Sequence, residues 1–213
     1  MSLGAQLPSA AAALERLVRG EPWLLGVLAA ARACGAPDCW VGGGVLRDLV
    51  WDQLHGRFDP ARVKDVDVAF YDPSDLTPQA DQVVEAALRR LAPEVPWEAK
   101  NQASVHLWYQ QRFGYPVEPL RSAVDGVATW PQTATAVAVR LDDDDRFQIA
   151  AACGLQDLLQ GVCRRNPRRV SVEWYHHRIH AKQVAARWPK VRIHWRSTKQ
   201  PVNAQVKLNL DNT

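Results

Sequence analysis

No run of apolar residues in this chain approaches the roughly 18 that a membrane-spanning helix needs. Its Ala- and Leu-rich start, Ala10 to Leu14 and Leu24 to Ala31, is broken by Glu15, Arg16, Arg19 and Glu21. The start therefore reads as two amphipathic helices and not as a signal peptide, and no membrane partner is expected. Cysteine is scarce: Cys34, Cys39, Cys153 and Cys163 show no Cys-x-x-Cys spacing and no secretory context. They read as reduced, partly buried thiols of a cytoplasmic protein, with a Cys34–Cys39 pair, close in sequence, as the alternative. Internal repeats are absent. A zinc site is poorly supported as well. His176 and His180 share a helix face at i, i+4, but no glutamate follows the zinc-protease pattern and no third ligand is evident, so they read as an extension of a basic helix face. The run Asp142 to Asp145 lacks the spacing of a calcium loop and reads as a solvated hairpin turn.

What is present suffices for one main core. The chain has 213 residues, 47% of them hydrophobic, and a net charge of +3. That small charge hides a division. Residues 161–213 hold 12 basic against 2 acidic side chains, net +10, which leaves 14 against 21, net −7, for residues 1–160. A basic C-terminal region raises the local concentration of polyanions such as RNA; the competing reading is a solvated face that aids solubility. Nine tryptophans are many for this length; most are expected in the core, with one available to stack on a base.

Periodicity predicts helices over 9–19 and 22–34, a strand over 38–42, a helix over 44–55, a strand over 65–71 and a helix over 78–91. A strand or hairpin follows through 97–109, and a short helix is expected near 121–127. Strands 134–141 and 146–152 flank the acidic turn. Helices over 154–164 and 171–188 close the chain. The expected division is a core with N-terminal helices (1–152), a helical region packed on it (153–192) and a loose tail (193–213). The fold class is α+β, a small mixed or antiparallel sheet flanked by helices, with a basic helical C-terminal region.

One constellation dominates. Trp40-Val41-Gly42-Gly43-Gly44-Val45-Leu46-Arg47-Asp48 is a short strand, a glycine turn and a helix start; Lys64-Asp65-Val66-Asp67-Val68-Ala69-Phe70 is a strand with two carboxylates. Side chains alternate along a strand, so Asp65 and Asp67 share a face about 7 Å apart, while Val66 and Val68 face a core. Glycines admit a phosphate close to the backbone, and the unpaired N–H groups of the helix start favour an anion. Arg47 can reach a triphosphate or pair with Asp48 or Asp52 along its helix.

These two motifs resemble those of the nucleotidyltransferase superfamily typified by DNA polymerase beta. The Gly-Gly-x-x-Arg-Asp form is similar to the branch containing CCA-adding enzymes and bacterial poly(A) polymerases. Trp97-Glu98-Ala99-Lys100-Asn101-Gln102-Ala103, then Ala134 to Val139, then Gly154-Leu155-Gln156-Asp157-Leu158 follow that branch's order, and the whole looks most like small bacterial nucleotidyltransferase-like proteins. The resemblance implies a nucleotidyltransferase fold. It also implies transfer of a nucleoside monophosphate from a nucleoside triphosphate, ATP or another, to an acceptor hydroxyl with release of pyrophosphate. Two Mg2+ (or Mn2+) ions would be held by Asp65, Asp67 and a third carboxylate, for which Glu98 is the choice over Glu94 and Glu118. Gly42, Gly43, Gly44, Arg47 and Lys100 would meet the phosphates. The strand 134–139 is Ala- and Val-rich where the tRNA-tailing enzymes carry charge, and fewer than 60 residues follow Gly154, so CCA addition itself is not expected. The alternative is a non-catalytic nucleotide- or RNA-binding protein that retains the fold.

Overall fold

In the computed structural model, residues 9–195 are described. Helices α1 (Ala10–Arg19) and α2 (Pro22–Ala33) come first; Ser9 accepts from the N–H of Ala12, and Pro22 occupies the first turn of α2, where its missing N–H costs nothing. Strand β1 (Trp40–Gly42) runs through the glycine turn into α3 (Gly44–Leu54). A 3-10 turn, Pro60–Arg62, precedes β2 (Val66–Phe70), which is followed by α4 (Pro78–Leu91) and β3 (Trp97–Asn101). Helices α5 (Val105–Phe113) and α6 (Ala123–Val127) lead to the hairpin β4 (Ala138–Leu141) and β5 (Phe147–Ala150). The chain closes with α7 (Gln156–Leu159), β6 (Val162–Cys163), α8 (Val172–Ala181), α9 (Val184–Arg187) and β7 (Arg192–Ile193).

The sheet is mixed, in the order β3-β2-β1-β4-β5, with β2 and β3 parallel and the other neighbours antiparallel. One face carries Val41, Val66, Val68, Phe70, Ala99 and Val139 into the main core with the helices; the other carries Trp40, Ala69 and Ala138 against Ala123 and Val127 of α6. The exposed edge of β3 is closed by side chains, since the N–H groups of Ala99 and Asn101 donate to Glu85 and Asp81 of α4 at 3.1 and 2.7 Å. Free ladder donors invite pairing with another chain, and carboxylates block it.

Four expectations about elements are corrected. Strand β3 stops at Asn101 because that fully buried side chain bonds Asp72 N, Asp72 O, Asp75 O and Ala103 N, turning the chain into helix where a strand to 109 was expected. Residues 134–137 are buried but folded back on Gln132 through Thr135 N and Ala136 N, so the strand begins only at Ala138. Helix α7 ends at Leu159, because Gly161 takes φ +62° and Val162–Cys163 pair with Arg192–Ile193. Gln183, at φ +50°, splits the expected 171–188 helix into α8 and α9. The tail expected from 193 begins with an ordered stretch: Ile193 pairs with Cys163, the Trp195 ring lies 5.4 Å from that of His180, and the Trp195 carbonyl oxygen accepts from His176 Nε2 at 2.7 Å. Residues 196–213 lie outside the described residues.

Candidate active site

The end of β1 is tight enough to exclude side chains. A Cβ on Gly42 would stand 2.3 Å from the carbonyl oxygen of Val137, and one on Gly43, whose φ is +66°, would stand 2.5 Å from Asp67 Oδ2. Any larger residue at either position must displace backbone or the carboxylate. The turn is clamped from β4's approach, with Gly43 N donating to Val137 O at 3.0 Å.

The carboxylates meet at this turn. Asp67 pairs across the ladders with Gly42 on one side and Glu98 on the other. Gly44 N, the first N–H of α3, donates to Asp67 Oδ2 at 3.3 Å. The position a Gly44 side chain would occupy lies 3.3 Å from Asp65 Oδ1 and 3.8 Å from both Asp67 Oδ2 and an Arg47 terminal nitrogen. Burial and the neighbouring charge of Asp65, with a smaller contribution from Glu98, push Asp67 up to about 6, opposed by the Gly44 N–H and by Arg178. A site that holds a carboxylate so far above its ordinary range is short of positive charge. Asp65 and Asp67 thus converge at the position facing Gly44, whereas Glu98 is in register with Asp67 but exposed. Among the described residues no three His, Cys, Asp or Glu side chains are drawn together as a ready-made metal cage.

The remaining expected residues are distributed differently. Arg47 is buried, bonds Asp48 Oδ1 through two nitrogens at 2.9 and 2.6 Å, and lies 4.8 Å over the Trp188 ring. Lys100 is on the same strand face as Glu98 but ion-pairs with Asp81 at the sheet edge. Trp130 stands beside the turn, 3.1 Å from the position of a Gly43 Cβ. Asp142 accepts from the N–H groups of Asp144 and Arg146, and Arg32 of α2 donates to Asp142 O and Asp145 Oδ1, so the acidic hairpin turn is held by local caps and a helix cation.

Two further cations reach the cluster from α8 and were not among the sequence candidates. Lys182 Nζ is 3.5 Å from Asp65 Oδ2. Arg178 is felt by Asp65, Asp67 and Glu98, although burial and Arg47 lower its own affinity for a proton. Their i, i+4 spacing is visible in the sequence, but nothing local says which surface that helix face meets.

Fold and site together define a class: a transferase whose glycine turn faces carboxylates on an adjacent strand. A family model described as nucleotidyltransferase matches residues 29–193. The chain belongs to the nucleotidyltransferase family, and it is an enzyme of that type. A solved structure described as revealing a CCA-adding enzyme head domain is similar at 26% identity and a TM-score of 0.71, over 84% of this chain and 95% of that one. The Thermotoga maritima CCA-adding enzyme complexed with tRNA is 17% identical with a TM-score of 0.51, over 85% of this chain and 42% of that one. A CCA-adding enzyme in complex with CTP is 16% identical with a TM-score of 0.51, over 85% and 43%. These last two share the fold, and the chain spans less than half of their length. No curated protein sequence matches this chain. No helix among the described residues is long and apolar enough to cross a membrane.

Proposed function

We propose that the chain moves a nucleoside monophosphate from a nucleoside triphosphate to an acceptor hydroxyl in a reaction that depends on a divalent metal. The observation that carries this reading is the meeting of Asp65 Oδ1 and Asp67 Oδ2 at the first N–H groups of α3. Hard carboxylate oxygens are the donors that Mg2+ and Mn2+ take. The raised Asp67 and the cations that α8 brings to Asp65 both mark a place where positive charge is stabilised. Asp65 and Asp67 would hold the metal, with Glu98 completing its shell after a side-chain movement. When bound, such an ion neutralises phosphate charge and activates the acceptor hydroxyl.

The protein's own groups do the rest. Gly43 and Gly44 leave room for a phosphate against the helix start, whose N–H groups and dipole stabilise its charge. Arg47, held by Asp48, faces the same space. Lys100 would join the phosphates only by leaving Asp81. Trp130 offers a ring beside the turn for the base. One structural neighbour is complexed with tRNA, and the exposed Arg164 and Arg168 give this chain a basic rim for RNA or another polyanion. A cytoplasmic setting agrees with four free cysteines.

The test is incubation of the pure protein with each α-labelled nucleoside triphosphate, Mg2+ or Mn2+ and a cell extract, with Asp67→Asn in parallel. Label should move in the wild type and fall by more than about a thousandfold in the variant, the scale expected for losing a group that stabilises the transition state. Equal transfer by both proteins, or equal transfer in a chelator, refutes the metal reading.

A further inference from the structure

The turn that joins α2 to β1 holds two thiols that the proposed transfer leaves unused. Cys34 caps the C-terminus of α2, and Cys39 stands one residue before β1. Gly35 and Asp38, at φ +80° and +45°, fold the turn back so that the Cys39 thiol donates to the sulfur of Cys34. Neighbouring elements anchor it. Asp38 Oδ1 accepts from Trp40 Nε1 at 2.8 Å and from Arg140 at 3.3 Å, Asp38 Oδ2 accepts from Ala123 N at 2.8 Å, and Pro37 O accepts from Tyr71 N at 3.1 Å. The thiol contact is therefore built into the fold.

The four cysteines differ in chemistry. Burial pushes the thiols of Cys153 and Cys163 up, and Cys163 is fully buried. Cys34 moves the other way, because the Cys39 S–H, with help from the Ala36 N–H, donates to its sulfur and outweighs burial. A helix C-terminus gives an anion no support, so those donors are the cause. As a thiol Cys34 donates to Ala31 O at 3.1 Å, a bond the thiolate gives up. Cys39 is pushed up, since losing its proton would break the bond to Cys34 and bring two sulfur charges together. Both residues are partly exposed. A partly exposed cysteine that ionises readily, with a second thiol in contact, is the arrangement that senses oxidants.

We propose that Cys34 and Cys39 form a reversible oxidation site, in which hydrogen peroxide oxidises Cys34 and Cys39 closes a disulfide with it. The Cys34 thiolate attacks one peroxide oxygen, the O–O bond breaks, and the other oxygen leaves with its electron pair and a proton from solvent as water. Sulfur is oxidised to the sulfenic acid as peroxide is reduced. The Cys39 sulfur then attacks the Cys34 sulfur, the S–O bond breaks, and the departing hydroxide takes the Cys39 proton as a second water. Two thiols and one peroxide thus give one disulfide and two waters. The S–S bond needs a separation of about 2.05 Å, a short closure from hydrogen-bond contact that leaves the anchors of the turn in place. Cys39 stops oxidation at a step that a reductant reverses; without it the sulfenic acid proceeds to the irreversible sulfinic acid.

The reduced full chain is treated with hydrogen peroxide, its remaining thiols are alkylated after unfolding, and its tryptic peptides are weighed. No Lys or Arg lies between Arg32 and Arg47, so both thiols fall in the peptide 33–47. In wild type that peptide should lose two hydrogens, resist alkylation and accept two alkyl groups after dithiothreitol, while Cys153 and Cys163 remain open to alkylation. Before oxidation, Cys34 should react with a maleimide at neutral pH at least about tenfold faster than Cys153. In Cys39→Ser, Cys34 should gain two oxygens that dithiothreitol does not remove; in Cys34→Ser, Cys39 should remain a thiol. Melting temperature checks the fold of each variant, and the wild-type result needs neither. A wild-type peptide that keeps both thiols while Cys153 oxidises, or chains linked to one another through Cys34, would overturn the site. Sulfinic acid at Cys34 in wild type would overturn the role given to Cys39.

Discussion

Asp67 carries two opposed demands: the fold half-buries it beside Asp65 and in register with Glu98, and the proposed chemistry needs it ionised. Its pKa, pushed up to about 6 by burial and those charges, has a stability consequence of definite sign. A carboxyl that holds its proton more tightly folded than unfolded contributes nothing below its ordinary value of about 4; its ionisation then costs stability as pH rises, fully so above 6. Without divalent ions, Asp67→Asn should be more stable than wild type at pH 7.5 by about 1–2 kcal/mol, a figure reduced for partial solvent exposure. The gap should close by pH 4, and Mg2+ should stabilise wild type alone. Thermal melts across pH check this; a variant less stable than wild type at pH 7.5 would show that Asp67 is a structural anchor. At this scale the sequence was informative. Strand alternation placed Asp65 and Asp67 on one face, a local signal, and the resemblance of the motif order joined them to the glycine turn. Spacing alone left Asp48 and Asp52 both open as helix partners of Arg47, and the structure pairs it with Asp48. Lys182 was not legible, since its partner lies 117 positions away.

Helices α8 and α9 are attached through one side chain above others. Trp188 is fully buried, meets Trp51 edge-on at 5.2 Å, donates to Asp52 Oδ1 at 2.6 Å and lies under Arg47 and Arg187. Trp188→Ala should cost about 3–5 kcal/mol, read as a lower urea midpoint. It should also weaken nucleotide binding, because Lys182 and Arg187 lose their support. A loss below about 1 kcal/mol would deny the anchor its role. The element boundaries that periodicity misjudged share a cause. Asn101 ends β3 with four side-chain hydrogen bonds to distant backbone, and Gln183 adopts a left-handed conformation that its residue type does not advertise. Where a boundary was set by a local cap, as at Ser171, whose hydroxyl accepts from Trp174 N, its position was readable.

Across the whole molecule, the charge division between residues 1–160 and 161–213 acquires a meaning that composition left undecided. Part of the basic region is matched by acids of the rest of the chain: Arg164 pairs with Asp157, Lys182 with Asp65, and Arg187 with Asp48 and Asp52. One apolar cluster runs from Leu14 to Val191 and includes the sheet, Trp51, Leu158, Tyr175 and Trp188. The helical region should therefore not melt separately. Urea unfolding followed by tryptophan fluorescence and by far-ultraviolet circular dichroism should give coincident single transitions, and a resolved early transition would make the 153–192 region a separable unit. The sequence by itself determined the α+β class, the glycine turn, the paired aspartates and the family, because each is written in contacts within a few residues or in the order of motifs. Only the tertiary structure decided which cations face those aspartates, that the strand ends at Asn101 and which acids the basic region pairs with. Those outcomes depend on side chains that meet across a hundred or more positions, and only the packing of a common core brings them together.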